Sequence, residues 1–189
     1  MKFISFNHDN SEKFGIIENN LITDLTGKID GASSLKELIK IKKIKEAKEY
    51  AKSNPGSIKP DQIEYSPLIP NPGKIICVGL NYSEHVKETN RTVEENPVIF
   101  HRFPESQTAH MQAIQRPTVS ESLDFEGEMA VIMGEGGKHI KPEDALKHIV
   151  GFSCYNESTI REWQRHTRQF GMGKNFEKTG SFGPHMVLA

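Results

Sequence analysis

The chain has 189 residues, with 24 Lys plus Arg against 25 Asp plus Glu and a formal net charge of −1 at pH 7. This length predicts one ordinary domain, alone or with a small appendage, and the balanced charge argues against a dedicated nucleic-acid binder, which usually carries a basic excess. The sequence contains no run of about 18 apolar residues, which argues against a membrane-spanning helix. Cys77 and Cys154 each lie in an apolar run, and without a signal-peptide pattern at the N-terminus they indicate reduced, buried thiols of a cytoplasmic protein.

The N-terminal residues predict a small group of strands. Apolar runs at positions 3–6, 14–17 and 21–25 are typical of short strands. Asn19 and Asn20 stand between the second and third runs, and asparagine adopts positive φ at little cost. These two residues therefore predict a tight hairpin.

A lysine-rich helix is predicted next, over residues 34–52. Ser34 and Glu37 have capping-box spacing, and the apolar residues that follow recur at helical intervals. Seven lysines in this segment are compatible with an acidic partner such as nucleic acid, but three interspersed glutamates favour a solvated face of locally paired charges.

Four prolines between positions 60 and 72 are typical of a rigid linker. We therefore expect a small N-terminal β-plus-helix domain with its linker at residues 1–70 and a larger domain at residues 71–189. The second part predicts buried strands at 74–79, 98–100, 129–133, 149–155 and 185–188, with a helix start at 142–148. The predicted fold class is α+β and mostly β.

Acidic residues alternate in one predicted strand of the larger part. Asp124, Glu126 and Glu128 are two apart, so on a strand their side chains share a face. Three crowded carboxylates repel one another, and a hard divalent cation such as Mg²⁺ or Ca²⁺ relieves that repulsion. An exposed strand end with three solvated acids is the alternative.

A second constellation follows the strand predicted at 149–155. Asn156 is a candidate helix cap, and on such a helix Glu157, Arg161 and Gln164 share a face at i, i+4 and i+7. An acid, a fixed cation and an amide that point the same way suit a metal ion and an oxygen-rich anionic ligand. An exposed helix with an internal Glu–Arg pair explains the spacing equally well.

Two further motifs carry titratable groups. His85 and Glu88 are three apart, and a carboxylate beside an imidazole supports a general base that acts on water. Lys174 lies among glycines, where its ammonium group can approach a substrate carboxylate or a developing oxyanion. Each of these patterns also occurs by chance.

Taken in chain order, the motifs resemble those of the fumarylacetoacetate hydrolase family. The resemblance covers roughly residues 70–187, and residues 1–70 look like the small N-terminal domain of many bacterial members. It rests on Lys-Ile-Ile-Cys-Val-Gly-x-Asn-Tyr-x-x-His from Lys74, Pro97-Val98-Ile99-Phe100, Asp124-x-Glu126-x-Glu128, Tyr155-Asn156-Glu157-x-x-x-Arg161, Gly173-Lys174-x-Phe176 and Gly183-Pro184.

The resemblance implies a role for each candidate residue. Glu126, Glu128 and Glu157 would bind Mg²⁺ or Mn²⁺, with Ca²⁺ as an alternative, and Glu157 stands where the family usually has Asp. His85 and Glu88 would activate water under a lid, and Lys174 would stabilise an enolate or oxyanion. Arg161, Gln164 and Arg102 would contact substrate oxygens, and Arg102 stands where members often have Lys.

The implied fold is a β-sandwich or roll that is incomplete in this chain, because the family fold continues beyond the Gly183-Pro184 motif. The implied activity is cleavage of a C–C bond in a 2,4-dioxo acid by a cytoplasmic, dimeric hydrolase. A decarboxylase or isomerase of a 2-oxo or 2-hydroxymuconate-type acid is the alternative on the same site, and a catalytically incompetent truncated fragment is another.

Overall fold

The computed structural model describes residues 1–82 and 96–189, and strand dominates it. The strands are β1 (Lys2–His8), β2 (Ser11–Glu18), β3 (Leu21–Asp24), β4 (Glu64–Tyr65), β5 (Ile75–Gly79), β6 (Val98–Arg102), β7 (Gln107–Ala109), β8 (Leu123–Asp124), β9 (Gly127–Met133), β10 (Ile149–Glu157), β11 (Thr159–Ile160), β12 (Gly180–Phe182) and β13 (Val187–Leu188). The helices are α1 (Leu35–Lys40), α2 (Ile44–Ser53), α3 (Arg161–Gln164) and α4 (Gly171–Lys174). The predicted class, α+β and mostly β, is confirmed.

The N-terminal sheet has the strand order β3-β2-β1-β4. The hairpin between β2 and β3 is the predicted one, because Asn19 and Asn20 adopt φ angles of 51° and 62°. Strand β4 pairs with β1 and comes from the segment predicted as a linker. Leu68 in the same segment is fully buried, so this stretch packs against the protein.

The prediction of one continuous helix over residues 34–52 is wrong. The chain forms α1 and α2, and Lys42 between them has a φ of 59°, which no α-helix accommodates. The predicted cap is present, since the Ser34 hydroxyl accepts a hydrogen bond from the Glu37 amide. Lys45 pairs with Glu49 on the exposed face, in agreement with locally paired charges.

The second sheet has the order β13-β10-β12-β7, and β9 pairs with β10. Strands β5 and β6 form a separate antiparallel ribbon. The sequence predicted buried strands here, but Ile76 and Val78 are 56% and 45% exposed because one face of the ribbon is open in the part of the chain that the structure describes. Segment Pro142–His148, predicted to start a helix, forms 3₁₀ turns.

The two sheets share a hydrophobic core. Phe3 in β1 exchanges backbone hydrogen bonds of 3.0 and 2.8 Å with Met186, and both side chains are fully buried. Phe14 and Leu38 pack in the same cluster as Ile132. Within residues 1–82 and 96–189, no helix is long and apolar enough to cross a membrane.

Candidate active site

Pairing of β9 with β10 brings the acidic residues together. Tyr155 and Asn156 in β10 lie opposite Glu128 and Gly127 in β9. Just beyond this pairing, the backbone amide of Glu157 donates a 2.8 Å hydrogen bond to the carbonyl of Glu126. Carboxylate oxygens of Glu126, Glu128 and Glu157 all lie within 4.8 Å of one another. The structure therefore joins the three residues that the resemblance implied as metal ligands.

The prediction that Asp124, Glu126 and Glu128 lie on one continuous strand is wrong, although all three residues line the same cavity. The alternation of side chains requires a continuous strand, but β8 ends at Asp124 and β9 begins at Gly127. Asp124 pairs across the β8–β11 ribbon with Thr159, and its carboxylate accepts a 2.8 Å hydrogen bond from Arg161 Nε.

Glu157 is the last residue of β10, whereas α3 begins at Arg161, so the predicted shared helix face is also wrong. Asn156 does not cap the helix; its side-chain oxygen accepts a hydrogen bond of 3.2 Å from the Glu126 amide. Glu157 still reaches the site because the strand end places it beside Glu126.

Lys174 occupies the centre of the acidic group. Its side chain is 2% exposed, and Nζ lies 2.7 Å from Glu126 Oε2 and 3.2 Å from Glu157 Oε1. The ammonium nitrogen also lies 4.9 Å from the ring centroid of Phe100, which is a cation–π distance. Lys174 thus acts as an internal counter-ion between two carboxylates.

Arg161 connects the outer acid to the inner one. Its guanidinium pairs with Asp124 at 2.8 Å and with Glu126 Oε1 at 2.5 Å, and Nη1 also donates to Gln164 Oε1 at 3.1 Å. Thr159 Oγ1 donates a further 2.9 Å hydrogen bond to Glu126 Oε1. Glu126 is therefore held in place from three directions.

Arg102 lies deeper than its predicted role as a substrate contact requires. Its side chain has no exposed surface and contacts Glu157 at 3.4 Å. The guanidinium also donates hydrogen bonds to Ser106, Ser158 and Thr179.

Two of these acids have pKa values that are shifted in opposite directions. Burial raises the pKa of Glu126, but Lys174 and then Arg161 more than offset burial and hold the pKa below its ordinary value. Burial also raises the pKa of Glu157, and here Lys174 and Arg102 offset burial only in part, with Glu126 adding repulsion. Glu157 consequently holds a proton more readily than Glu126 does.

The acids line a cavity of about 550 Å³ whose wall also includes Arg161, Gln164 and Lys174. The wall also includes Tyr82, Arg165 and Phe170, to which the sequence analysis assigned no role. Tyr82 forms a side-chain hydrogen bond with Glu128, and the pKa of this tyrosine is raised by burial and then by that contact. Arg165 directly follows α3.

Comparison with known proteins identifies the family. Residues 74–189 match the family model described as the C-terminal part of fumarylacetoacetate hydrolase. The chain belongs to the fumarylacetoacetate hydrolase family. This finding confirms the resemblance that the sequence motifs indicated.

Curated members of the family include the mitochondrial oxaloacetate tautomerase Fahd2a of Rattus norvegicus, which is 39% identical over 127 residues, covering 67% of this chain and 41% of that protein. The human oxaloacetate tautomerase FAHD2A is 36% identical over 128 residues, covering 67% of this chain and 41% of the relative. The chain thus spans about two fifths of the length of these relatives.

Solved structures of family members match the whole chain. Fumarylacetoacetate hydrolase from Exiguobacterium antarcticum matches with a TM-score of 0.84 and 30% identity, covering 100% of this chain and 66% of its own. Maleylpyruvate hydrolase from a Sphingobium species, solved in complex with manganese(II) and pyruvate, matches with a TM-score of 0.79 and 20% identity, covering 100% of this chain and 67% of its own. The second likeness shows the shared fold alone.

The donor set of this family member fits a hard divalent cation. Mg²⁺ and Ca²⁺ take oxygen ligands at about 2.0–2.6 Å, so one ion bridges oxygens up to about 5 Å apart. The spread of the three carboxylates is within this limit. Glu126, Glu128 and Glu157 can therefore hold a metal ion.

His85 and Glu88, the predicted general base and its partner, lie outside the described residues. Their roles stay predictions. Cys77 and Cys154 are both free thiols, as expected, but Cys77 is only partly buried and Cys154 is exposed, which corrects the prediction that both are buried.

Proposed function

We propose that this chain carries the site of a divalent-metal-assisted enzyme that acts on 2-oxo acids through an enolate. One observation carries the proposal: three carboxylates, a buried lysine and an arginine converge on a single cavity. Mg²⁺ or Mn²⁺ is the proposed ion, with Ca²⁺ as an alternative, because all three ligands are hard carboxylate oxygens.

When bound, the ion supplies Lewis-acid polarisation of the 2-oxo and carboxylate oxygens of the substrate. The protein contributes fixed groups around those oxygens. Arg161 and Thr159 orient Glu126, so its carboxylate needs little rearrangement. Lys174 has three N–H donors, and its contacts with Glu126 and Glu157 use two of them, which leaves the third for a substrate oxygen that becomes negative in the enolate.

A dicarboxylic 2-oxo acid is the proposed substrate class. Arg165 is exposed on the cavity wall, and no ion pair of this residue occurs within the described ranges. A guanidinium in that place suits a second carboxylate, which it can bind with two parallel hydrogen bonds. Keto–enol tautomerisation of a four-carbon 2-oxo diacid therefore agrees with the described residues, and two relatives are named as oxaloacetate tautomerases.

Hydrolysis of a C–C bond in a 2,4-dioxo acid is the second candidate, and the His85–Glu88 motif in the sequence favours it. Hydrolysis needs a base that activates water after the substrate is bound. Decarboxylation or isomerisation of a related acid needs the same enolate without that water. In either case we propose a homodimer, by analogy with the family.

The test is an activity assay of the 189-residue chain with Mg²⁺ or Mn²⁺. Loss of the enol absorbance of oxaloacetate measures tautomerisation, and loss of the absorbance of an acylpyruvate measures hydrolysis. We expect Glu126→Ala to abolish the metal-dependent rate, whereas Glu143→Ala, at an exposed position outside the cavity, leaves it unchanged. Equal rates with and without metal would overturn the proposal.

A further inference from the structure

Arg102 is a buried cation with every guanidinium nitrogen in a hydrogen bond. Nε donates to Ser106 Oγ at 3.2 Å, and Nη2 donates to Thr179 Oγ1 at 2.7 Å. Nη1 donates to the Ser158 carbonyl at 3.3 Å and to Glu157 Oε1 at 3.4 Å. Since a guanidinium stays charged at all ordinary pH values, these contacts fix a permanent positive charge inside the protein.

Two of the acceptors are themselves anchored to the backbone. Ser106 Oγ donates to the carbonyl of Phe103 at 2.8 Å, and Thr179 Oγ1 donates to the carbonyl of Phe176 at 2.7 Å. Their hydroxyl hydrogens are thus committed, so their lone pairs face Arg102. These two hydroxyl groups therefore fix the orientation of the Arg102 guanidinium independently of Glu157.

Glu157 lies between this guanidinium and the cavity. Its side chain is 7% exposed, and its Oε1 atom lies 3.4 Å from Arg102 Nη1 and 3.2 Å from Lys174 Nζ. Among the described residues that line the cavity, Glu157 and Lys174 are present and Arg102 is not. Arg102 accordingly reaches the carboxylate from behind.

We infer that Arg102 is a positioning residue, which holds the carboxylate of Glu157 at the place where it binds the divalent ion. This inference rests on the metal-assisted function proposed above. Hydrogen-bonded groups behind a metal ligand typically change metal affinity by about 10–100-fold when they are removed.

The charge of Arg102 and its hydrogen bonds to Glu157 are expected to change metal affinity in opposite directions. A positive charge near a cation site repels the metal, so a purely electrostatic role predicts tighter binding when Arg102 is neutralised. Arg102→Lys separates the two effects because it keeps the charge and loses the planar fork. If Arg102 acts through geometry, this substitution weakens metal binding.

The experiment measures the Kd of Mn²⁺ alone for the 189-residue chain, by the electron paramagnetic resonance signal of free Mn²⁺. We expect Arg102→Lys to raise the Kd at least tenfold. In a Glu157→Gln background the same substitution should change the Kd less than twofold, because the carboxylate it positions is gone. An equal loss in both backgrounds, or a Kd at or below the wild-type value, would overturn the inference.

Thr179→Val provides a second variant that leaves Arg102 in place. It removes the 2.7 Å acceptor of Nη2 at constant side-chain volume, and we expect it to raise the Kd about threefold or more. A merely structural role would lower the metal-free melting temperature and leave the Kd of the folded protein unchanged. If the wild-type chain itself does not bind Mn²⁺, the proposed metal site fails; if wild type and both variants bind equally, only the role of Arg102 fails.

Discussion

Lys174 Nζ lies 2.7 Å from Glu126 Oε2, and the two side chains are only 2% and 16% exposed. The same nitrogen contacts Glu157, so one lysine neutralises two candidate metal ligands. A divalent ion that binds here must share those carboxylates with an ammonium group. Lys174 is therefore the shared counter-ion of Glu126 and Glu157, and the following substitutions test this role.

Replacement of Lys174 by Met is expected to destabilise the metal-free protein. It leaves Glu126 and Glu157 without this counter-ion, and loss of one partner from a buried pair typically costs about 3–5 kcal/mol. Mn²⁺ should then raise the melting temperature more than it does in the wild type, while catalytic turnover is lost. Thermal melts with and without Mn²⁺ measure both effects, with Lys52→Met, on the exposed side of α2, as control. An unchanged metal-free melting temperature would argue against the counter-ion role.

Arg165→Ala is expected to change substrate preference. Loss of a charged hydrogen bond typically costs about 1.5–3 kcal/mol, so the KM for oxaloacetate should rise roughly 10–100-fold. The KM for a 2-oxo acid without a second carboxylate should change little. Arg168→Ala, also exposed and close in sequence but not on the cavity wall, is the matched control. Equal effects on both substrates would exclude Arg165 as the contact for the distal carboxylate.

Gly180→Ala is expected to displace Arg102, which contacts Glu157 on the side away from the cavity. A Cβ at this position would meet Tyr155 Oη and would lie 2.9 Å from Arg102 Nη2. Overpacking of this kind costs about 1–3 kcal/mol, and displacement of Arg102 should also weaken Mn²⁺ binding. Gly73→Ala, with no atom within 4 Å of the added Cβ, should leave both the melting temperature and the Kd unchanged. A wild-type Kd in Gly180→Ala would show that the guanidinium adapts.

The two cysteines are expected to react at different rates. Burial, together with the negative charge of Glu157, raises the pKa of Cys77 to about 12, so at pH 8 its thiol stays protonated and unreactive. Cys154 is exposed. Iodoacetamide should therefore label Cys154 in the native protein and reach Cys77 only after denaturation, as mass spectrometry can show. Comparable labelling of both thiols in the native protein would contradict the raised pKa of Cys77.

Local chemistry predicted much of the fold. The Asn19–Asn20 hairpin and the Ser34 cap follow from backbone preferences. The strand that contains Met129 follows from its apolar run, but it was predicted as buried, and the Met129 side chain is 63% exposed. Interruptions of regular structure were not predictable in the same way. Lys42 interrupts a pattern that is helical on both sides, because the positive φ at this position is not encoded by a glycine or an asparagine.

The site shows the same contrast. Asp124, Glu126 and Glu128 were correctly grouped because they are close in sequence, but the continuous strand expected for them was wrong because the chain leaves the strand between Asp124 and Gly127. Glu157 was placed on a helix, although the register of β10 against β9 decides its position. Arg165 was assigned no role because an exposed arginine has no distinguishing local pattern. Its relevance comes from the cavity, which only the tertiary structure forms.

Direct measurement of Mn²⁺ binding tests the central claim, that Glu126, Glu128 and Glu157 form one metal site. Titration calorimetry of the 189-residue chain should give one ion per chain. Each of the three Glu→Gln substitutions should weaken binding by tenfold or more, while Glu143→Gln should leave it unchanged. Absence of Mn²⁺ binding, or binding that survives all three substitutions together, would contradict the account.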